Sequence, residues 1–182
     1  MNTAKPGRRP RFYSLFQWGL GATTGGLLIG LVASQSIRRA NERHMLTELA
    51  DSHMRSLIAS HLVDTESSDR RVVKSWFEGK LDYAPPVPDL SAGGYALLGG
   101  RVDYVAGHAA AALVYQFGKH DISVFVWPEA PNVNQTVQVF PSERGYQIIG
   151  WATNGLACRA VADMAAHDLG DFASAFQSRA GQ

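Results

Sequence analysis

The sequence predicts an α+β protein in which one N-terminal transmembrane helix is followed by an antiparallel β-meander domain flanked by helices. Three observations predict it. Residues 12–37 carry no charged side chain, and about 20 apolar residues in a helix cross a bilayer core of roughly 30 Å. Apolar residues then recur at helical spacing as far as Ser60. Beyond the prolines of Ala84-Pro-Pro-Val-Pro-Asp89 the period falls to two, with Gly-Gly and Asn-Gly dipeptides between the runs. The chain therefore divides into a basic tail over 1–11, the transmembrane helix over 12–37, a helical segment over 38–83, and a sheet with a C-terminal helix over 84–182. Residues 38–182 are expected to form one extracytoplasmic domain.

The tail holds Lys5, Arg8, Arg9 and Arg11 and no acid. Across the apolar run, Arg38, Arg39, Arg43 and Arg55 match that charge but are diluted by Glu42, Glu48 and Asp51. The bias places the tail in the cytoplasm and the large domain beyond the membrane. This is the pattern of a single-pass protein of a bacterial inner membrane with its C-terminal domain in the periplasm. A cleaved secretory leader competes with that reading, but Ala33-Ser-Gln-Ser36 is not a clean A-x-A site. Arg8-Arg9 is followed by Pro10-Arg11, not by the usual twin-arginine spacing. Within the run, Gly21, Gly25, Gly26 and Gly30 form two Gly-x-x-x-Gly pairs. That spacing lets helix backbones approach closely, so these glycines are the candidate membrane-helix contact with a second copy or another protein.

Met45, Leu46, Leu49, Met54, Leu57 and Ile58 recur near every 3.6 residues, opposite Arg38, Arg39, Glu42, Arg43 and Glu48. An amphipathic helix over Ile37–Ser60 is expected to continue the apolar run without a break. His61–Asp69 reads as a turn, and Ser67 or Ser68 as the N-cap of a short helix through Phe77 that stops at Gly79. Three prolines in four residues make 84–89 a stiff extended connector. Strands are expected at Tyr95–Leu98, Arg101–Val105, Ala109–Phe117, Ile122–Trp127, Thr136–Phe140, Tyr146–Thr153 and Leu156–Val161. Gly99-Gly100, Ala106-Gly107, Gly118–Asp121, Pro141–Gly145 and Asn154-Gly155 serve as their turns. Leu169, Phe172 and Phe176 share one face of a helix over Asp168–Arg179, which is expected to cover the sheet.

Composition narrows the function classes. With 46% hydrophobic and 18% charged residues and a formal net charge of +1, the chain is neither a disordered tail nor a strongly basic nucleic-acid binder. One cysteine, Cys158, rules out an internal disulfide and a cysteine-based zinc cluster, and a lone cysteine in a strand reads as a packed residue. No G-x-S-x-G, phosphate-binding glycine loop or H-E-x-x-H occurs. Asp51, Ser52 and His53 are adjacent on a helix and point in different directions, which is not a triad. No enzyme activity and no cofactor are expected. His53 and His61 lie eight residues apart, with His108 and His120 in or beside turns. Metal pairs on a helix use spacings of three or four, so solvated or hydrogen-bonding histidines are the expectation rather than a metal site. Trp76, Phe77, Trp127 and Trp151 read as core.

One series of residues carries a family resemblance. It runs Asp51-Ser-His53, Arg55-Ser-Leu57, His61-Leu62, Ser67-Ser-Asp69-Arg70, Val73-Lys74, Trp76-Phe77, Gly79-Lys80-Leu81-Asp82, Pro85-Pro86-Val87, Asp89-Leu90, Gly99-Gly100-Arg101, Asp103-Tyr104, Ala111–Tyr115 and Phe125-Val-Trp-Pro128. Gly145-Tyr146, Trp151, Ala160-Val161 and Asp163 continue it. In order and spacing the series resembles the extracytoplasmic half of proteobacterial transmembrane anti-sigma factors. The resemblance implies a signal-receiving outer domain. The family's cytoplasmic half, often built on a His-x-x-x-Cys-x-x-Cys zinc motif, holds the sigma factor. Residues 1–11 contain no His or Cys, so sigma binding by this chain is not expected. Arg71, Val72 and Ser75 also depart from the commoner His, Thr and Pro. The polar members His53, His61, Lys74, Arg101 and Asp103 are the candidate interaction face. The expectation is a membrane-anchored periplasmic sensor or interaction domain with a protein partner. The alternative is an accessory subunit of a larger inner-membrane complex.

Overall fold

The computed structural model describes residues 16–58, 61–105, 107–129 and 136–180, with side-chain surroundings from residue 33 onward. Contacts separate two units, Met1–Glu42 and Arg43–Gln182. Helix α1 spans Phe16–Ile58. The expected transmembrane helix over 12–37 is corrected: among the described residues no helix is long and apolar enough to cross a membrane. Every described side chain over 33–42 is exposed, and Arg38, Arg39 and Glu42 break any apolar window that reaches into this part of α1. Gly21, Gly25, Gly26 and Gly30 fall on α1, but their surroundings, like the whole of the basic tail, lie outside the described residues.

The second unit is an α+β layer structure. After the last turns of α1 come β1 (Thr65–Glu66), α2 (Arg70–Phe77), β2 (Ala96–Val105), β3 (His108–Phe117), β4 (His120–Pro128), β5 (Gln138–Glu143), β6 (Tyr146–Thr153), β7 (Leu156–Ala162) and α3 (Ala166–Arg179). The seven strands are ordered β1-β2-β3-β4-β7-β6-β5, and every pairing is antiparallel. A simple meander is therefore corrected in one place. After β4 the chain crosses to the far edge, and β5, β6 and β7 return hairpin by hairpin until β7 pairs with β4. The edges are β1, two residues long, and β5, which contains Pro141 and an irregular register between Phe140 and Glu143.

Asn154-Gly155 makes a two-residue hairpin with both residues at positive φ, 50° and 76°, the mirror-image turn that matches strand twist. Arg144-Gly145 does the same between β5 and β6, at 51° and 88°. Gly99-Gly100 is not a turn. The expected strands on either side of it are one strand, β2, with a bulge between Leu97 and Gly99. These glycines instead let neighbours come close: a Cβ on Gly99 would lie 1.9 Å from the Thr65 carbonyl oxygen, and one on Gly100 would lie 2.8 Å from the Phe77 ring. β1 itself arises in a stretch expected to be turn. The N-cap of α2 is Asp69, whose carboxylate accepts from the Arg71 N–H; Ser67 Oγ accepts from Asp69 N–H one step earlier.

Strand alternation sends side chains to two faces. One face stacks Leu113, Tyr115, Ile122, Val124, Ile149, Trp151 and Cys158 against Phe77 of α2 and Leu169, Phe172 and Phe176 of α3. The extended connector crosses this face. Tyr115 Oη donates to the Pro88 carbonyl at 2.9 Å. Tyr83 Oη lies 2.7 Å from the Val126 carbonyl and accepts from the Ala111 N–H at 3.0 Å. The other face gathers Val105, Ala110, Ala112, Phe125, Trp127, Ile148 and Val161 under Leu46 and Leu49 of α1.

Candidate functional site

A buried polar layer lies between the last turns of α1 and the sheet. Ser52, His53 and Ser56 of α1 and Arg101, Ser123 and Arg159 of the sheet are all buried. Helical geometry explains the α1 members, because Leu46, Leu49, Ala50 and His53 fall on one stripe. Alternation explains the sheet members: Arg101, Asp103 and Val105 of β2 share the face of Ser123 and Phe125 of β4. His53 Nδ1 and Ser123 Oγ share a hydrogen bond of 2.8 Å, and Tyr146 of β6 meets the imidazole edge-on at 4.9 Å between centroids. Ser52 Oγ donates to Asp103 Oδ2. Arg101 Nε lies 3.4 Å from the same carboxylate, and its Nη1 donates to the Leu62 carbonyl at 2.7 Å. Arg101 Nη2 is buried and has no partner among the described residues. The guanidinium also stands 5.6 Å from the centre of the Phe125 ring.

Burial, and then the positive charge of Arg101, push the His53 imidazole down from 6.5 to about 4, against a weaker opposing pull from Asp163. The ring is therefore neutral at pH 7. A neutral imidazole buried under a helix and bonded to Ser123 ties α1 to the sheet. Magnitudes set its weight. Burying Leu46 and Leu49 contributes about 2 kcal/mol each, and each net hydrogen bond about 1 kcal/mol. The leucines contribute most to holding α1 on the sheet, and the polar layer adds hydrogen bonds that need a neutral His53. At the rim Asp51 pairs with Arg144 of the β5–β6 turn at 2.5 Å, half-exposed and so worth under about 1 kcal/mol.

A second cluster lies on the opposite side, where the first turn of α2, the proline connector and the end of α3 enclose a groove. Three adjoining hollows of about 530, 360 and 170 Å³ share Arg70, and two of the three share Arg71, Pro88, Asp89, Ser91 or Arg179; Lys74 lines the smallest. Arg71 grips Asp69 with two nitrogens, at 3.3 and 3.1 Å. Arg179 Nη1 donates to the Asp89 carbonyl at 3.0 Å, while the Asp89 carboxylate accepts from the Ser91 N–H. Those hydrogen bonds hold both carboxyls below the usual range.

The expected interaction face is thus split. His53, Arg101 and Asp103 come together, but they are covered by α1. His61 is exposed and pairs with Asp64 at 2.7 Å, next to the Leu62 carbonyl that Arg101 holds. Lys74 lies on α2, lining the groove. Sequence reasoning missed Ser123 and Arg159. The only signal for either was a polar residue at an inward position of a strand. His120 pairs with Asp163 at 2.8 Å and His108 is exposed at the start of β3. Among the described residues no three His, Cys, Asp or Glu side chains stand close enough to hold a metal. The Cys158 thiol is fully buried and pushed up to about 12 by that burial, which leaves no thiolate for nucleophilic chemistry at neutral pH. Trp76 is half-buried, and the other three of the four expected core aromatics, Phe77, Trp127 and Trp151, are buried. Compared with known protein families and with curated proteins, the chain has no matching family model and no matching protein.

Proposed function

We propose that the second unit is a signal-receiving interaction domain of a regulatory protein, working by binding a protein partner rather than by catalysis. The observation that carries this reading is the layer between α1 and the sheet. It joins one long helix to the body of the domain through three polar pairs, Ser52–Asp103, His53–Ser123 and Asp51–Arg144, that exist only while the helix is docked. A partner that shifts β2 or the β5–β6 turn changes the fit of Asp103, Arg101 and Arg144 to α1, and the helix carries the change away. The resemblance to the outer domains of anti-sigma factors supports the same role, because its motif residues Phe77 and Trp151 pack on one face, Phe125 and Trp127 on the other, and Gly100 makes room for Phe77. Crosslinking of the tagged full chain in cells, followed by mass spectrometry, is expected to return a stoichiometric protein partner. Hydrogen exchange over Leu46–Ser56 is expected to change when that partner binds. A partner that leaves α1 exchange unchanged would remove the relay, and no partner at all would remove the reading.

A further inference from the structure

We infer that the groove between α2, the connector and the end of α3 is a docking surface for an acidic peptide segment of the partner protein. This rests on the interaction reading above. Four cations, Arg70, Arg71, Lys74 and Arg179, line the groove, against two carboxylates, Asp69 and Asp89. The whole chain carries only +1, so positive charge is concentrated here. Folding alone disfavours the arrangement. Arg70 and Arg71 occupy the first turn of α2, where the helix dipole favours acids. Arg70 and Lys74 are like charges one turn apart, which repel. Arg71 is gripped by Asp69, and Arg70 is attracted by Asp69 and Asp89 at longer range, but among the described residues neither Arg70 nor Lys74 makes a direct hydrogen bond or ion pair. Four cations against two carboxylates leave a net positive groove that an outside anion can complement.

The chemistry of that group follows from the walls. Asp69 already shows how a carboxylate fits the Arg71 guanidinium. Asp69 and Asp89 repel a doubly charged phosphate more than a carboxylate, and a macromolecular polyanion more still. Pro86, Val87, Pro88 and Leu97 give the groove an apolar floor, which suits alternating apolar side chains of an extended segment. Tyr115 Oη and Arg179 pin the connector at the Pro88 and Asp89 carbonyls, so the surface is formed before the partner arrives and little ordering opposes binding.

The test is fluorescence anisotropy of the purified full chain with a rhodamine-labelled peptide, three repeats of Glu-Val-Glu-Pro. A Lys-for-Glu peptide and phosphatidylglycerol vesicles are the comparison probes. Saturable binding of the acidic peptide is expected, weakened more than tenfold by R70E/K74E, a few-fold by R179Q, and progressively by salt. Arg70 and Lys74 are exposed, and circular dichroism should match between wild type and variant. Peptide binding unchanged in R70E/K74E overturns the inference, as does vesicle binding that needs these residues while the peptide does not bind. If the cellular partner stays bound to R70E/K74E, the groove is refuted and the interaction reading stands.

Discussion

The two faces of the sheet are built by different chemistry. On the α3 face Tyr95, Tyr115, Trp151, Phe172 and Phe176 touch ring to ring at 5.0 to 6.1 Å between centroids, and among the described residues its buried ionisable side chains are two phenols, Tyr95 and Tyr115, and the Cys158 thiol, all pushed up by burial. On the α1 face two leucines of the helix share the work with a histidine, two arginines, an aspartate and three serines. On one face burial keeps the phenols and the thiol neutral near pH 7; on the other the fit of His53 needs its neutral form. The difference teaches that α3 is part of the permanent core, whereas the attachment of α1 is conditional.

Breaking the permanent face should have the largest effect. Phe172→Ala removes a fully buried ring from the centre of the aromatic cluster, and about 3 to 5 kcal/mol of stability should go with it, read as a lower denaturant midpoint. Acid should break the conditional face alone. His53 has a folded value of about 4, below its ordinary 6.5, so its contribution is complete above pH 6.5 and is lost as pH falls toward 4. The loss reaches about 3 kcal/mol. The groups facing the ring are Arg101 and Asp103 of β2, Ser123 of β4, Tyr146 of β6 and the more distant Asp163. Hydrogen-exchange protection factors, corrected for the intrinsic pH dependence, should fall over Leu46–Ser56 between pH 7 and pH 4.5 while those of α3 hold, and His53→Gln should flatten that dependence. Equal acid response of α1 and α3 would erase the distinction.

Smaller changes sharpen the picture. Gly100→Ala drives a methyl into the Phe77 ring and should cost about 1 to 3 kcal/mol, visible as a lower thermal midpoint without loss of α1 docking. Asp69→Ala removes the cap of α2 at about 1 kcal/mol and should leave both faces packed.

Local signals were legible in the sequence wherever one short segment decides its own conformation. The Asn154-Gly155 turn, the stripe of Leu169, Phe172 and Phe176, and the stop of α2 before Gly79 are of that kind. Gly99-Gly100 misled because a glycine pair marks either a turn or a close approach, and only the position of Thr65 and Phe77 distinguishes them. Strand order was illegible for a similar reason: whether β5 follows β4 in space depends on pairings between residues far apart in sequence. A charge-free run invited a membrane reading, but the charged residues that follow it share the same helix. At the candidate site, His53, Arg101 and Asp103 were singled out one by one, while Ser123 offered only a polar residue at an inward strand position. Their convergence is a property of strand register.

The two edges of the sheet have a consequence for how this chain behaves in a crowded solution. β1 offers two residues to an incoming strand, and Pro141 in β5 has no N–H to donate where a copy would have to pair. Both features disfavour strand-by-strand growth at the edges where it would begin, and on β5 the proline sits two residues from the exposed Val139.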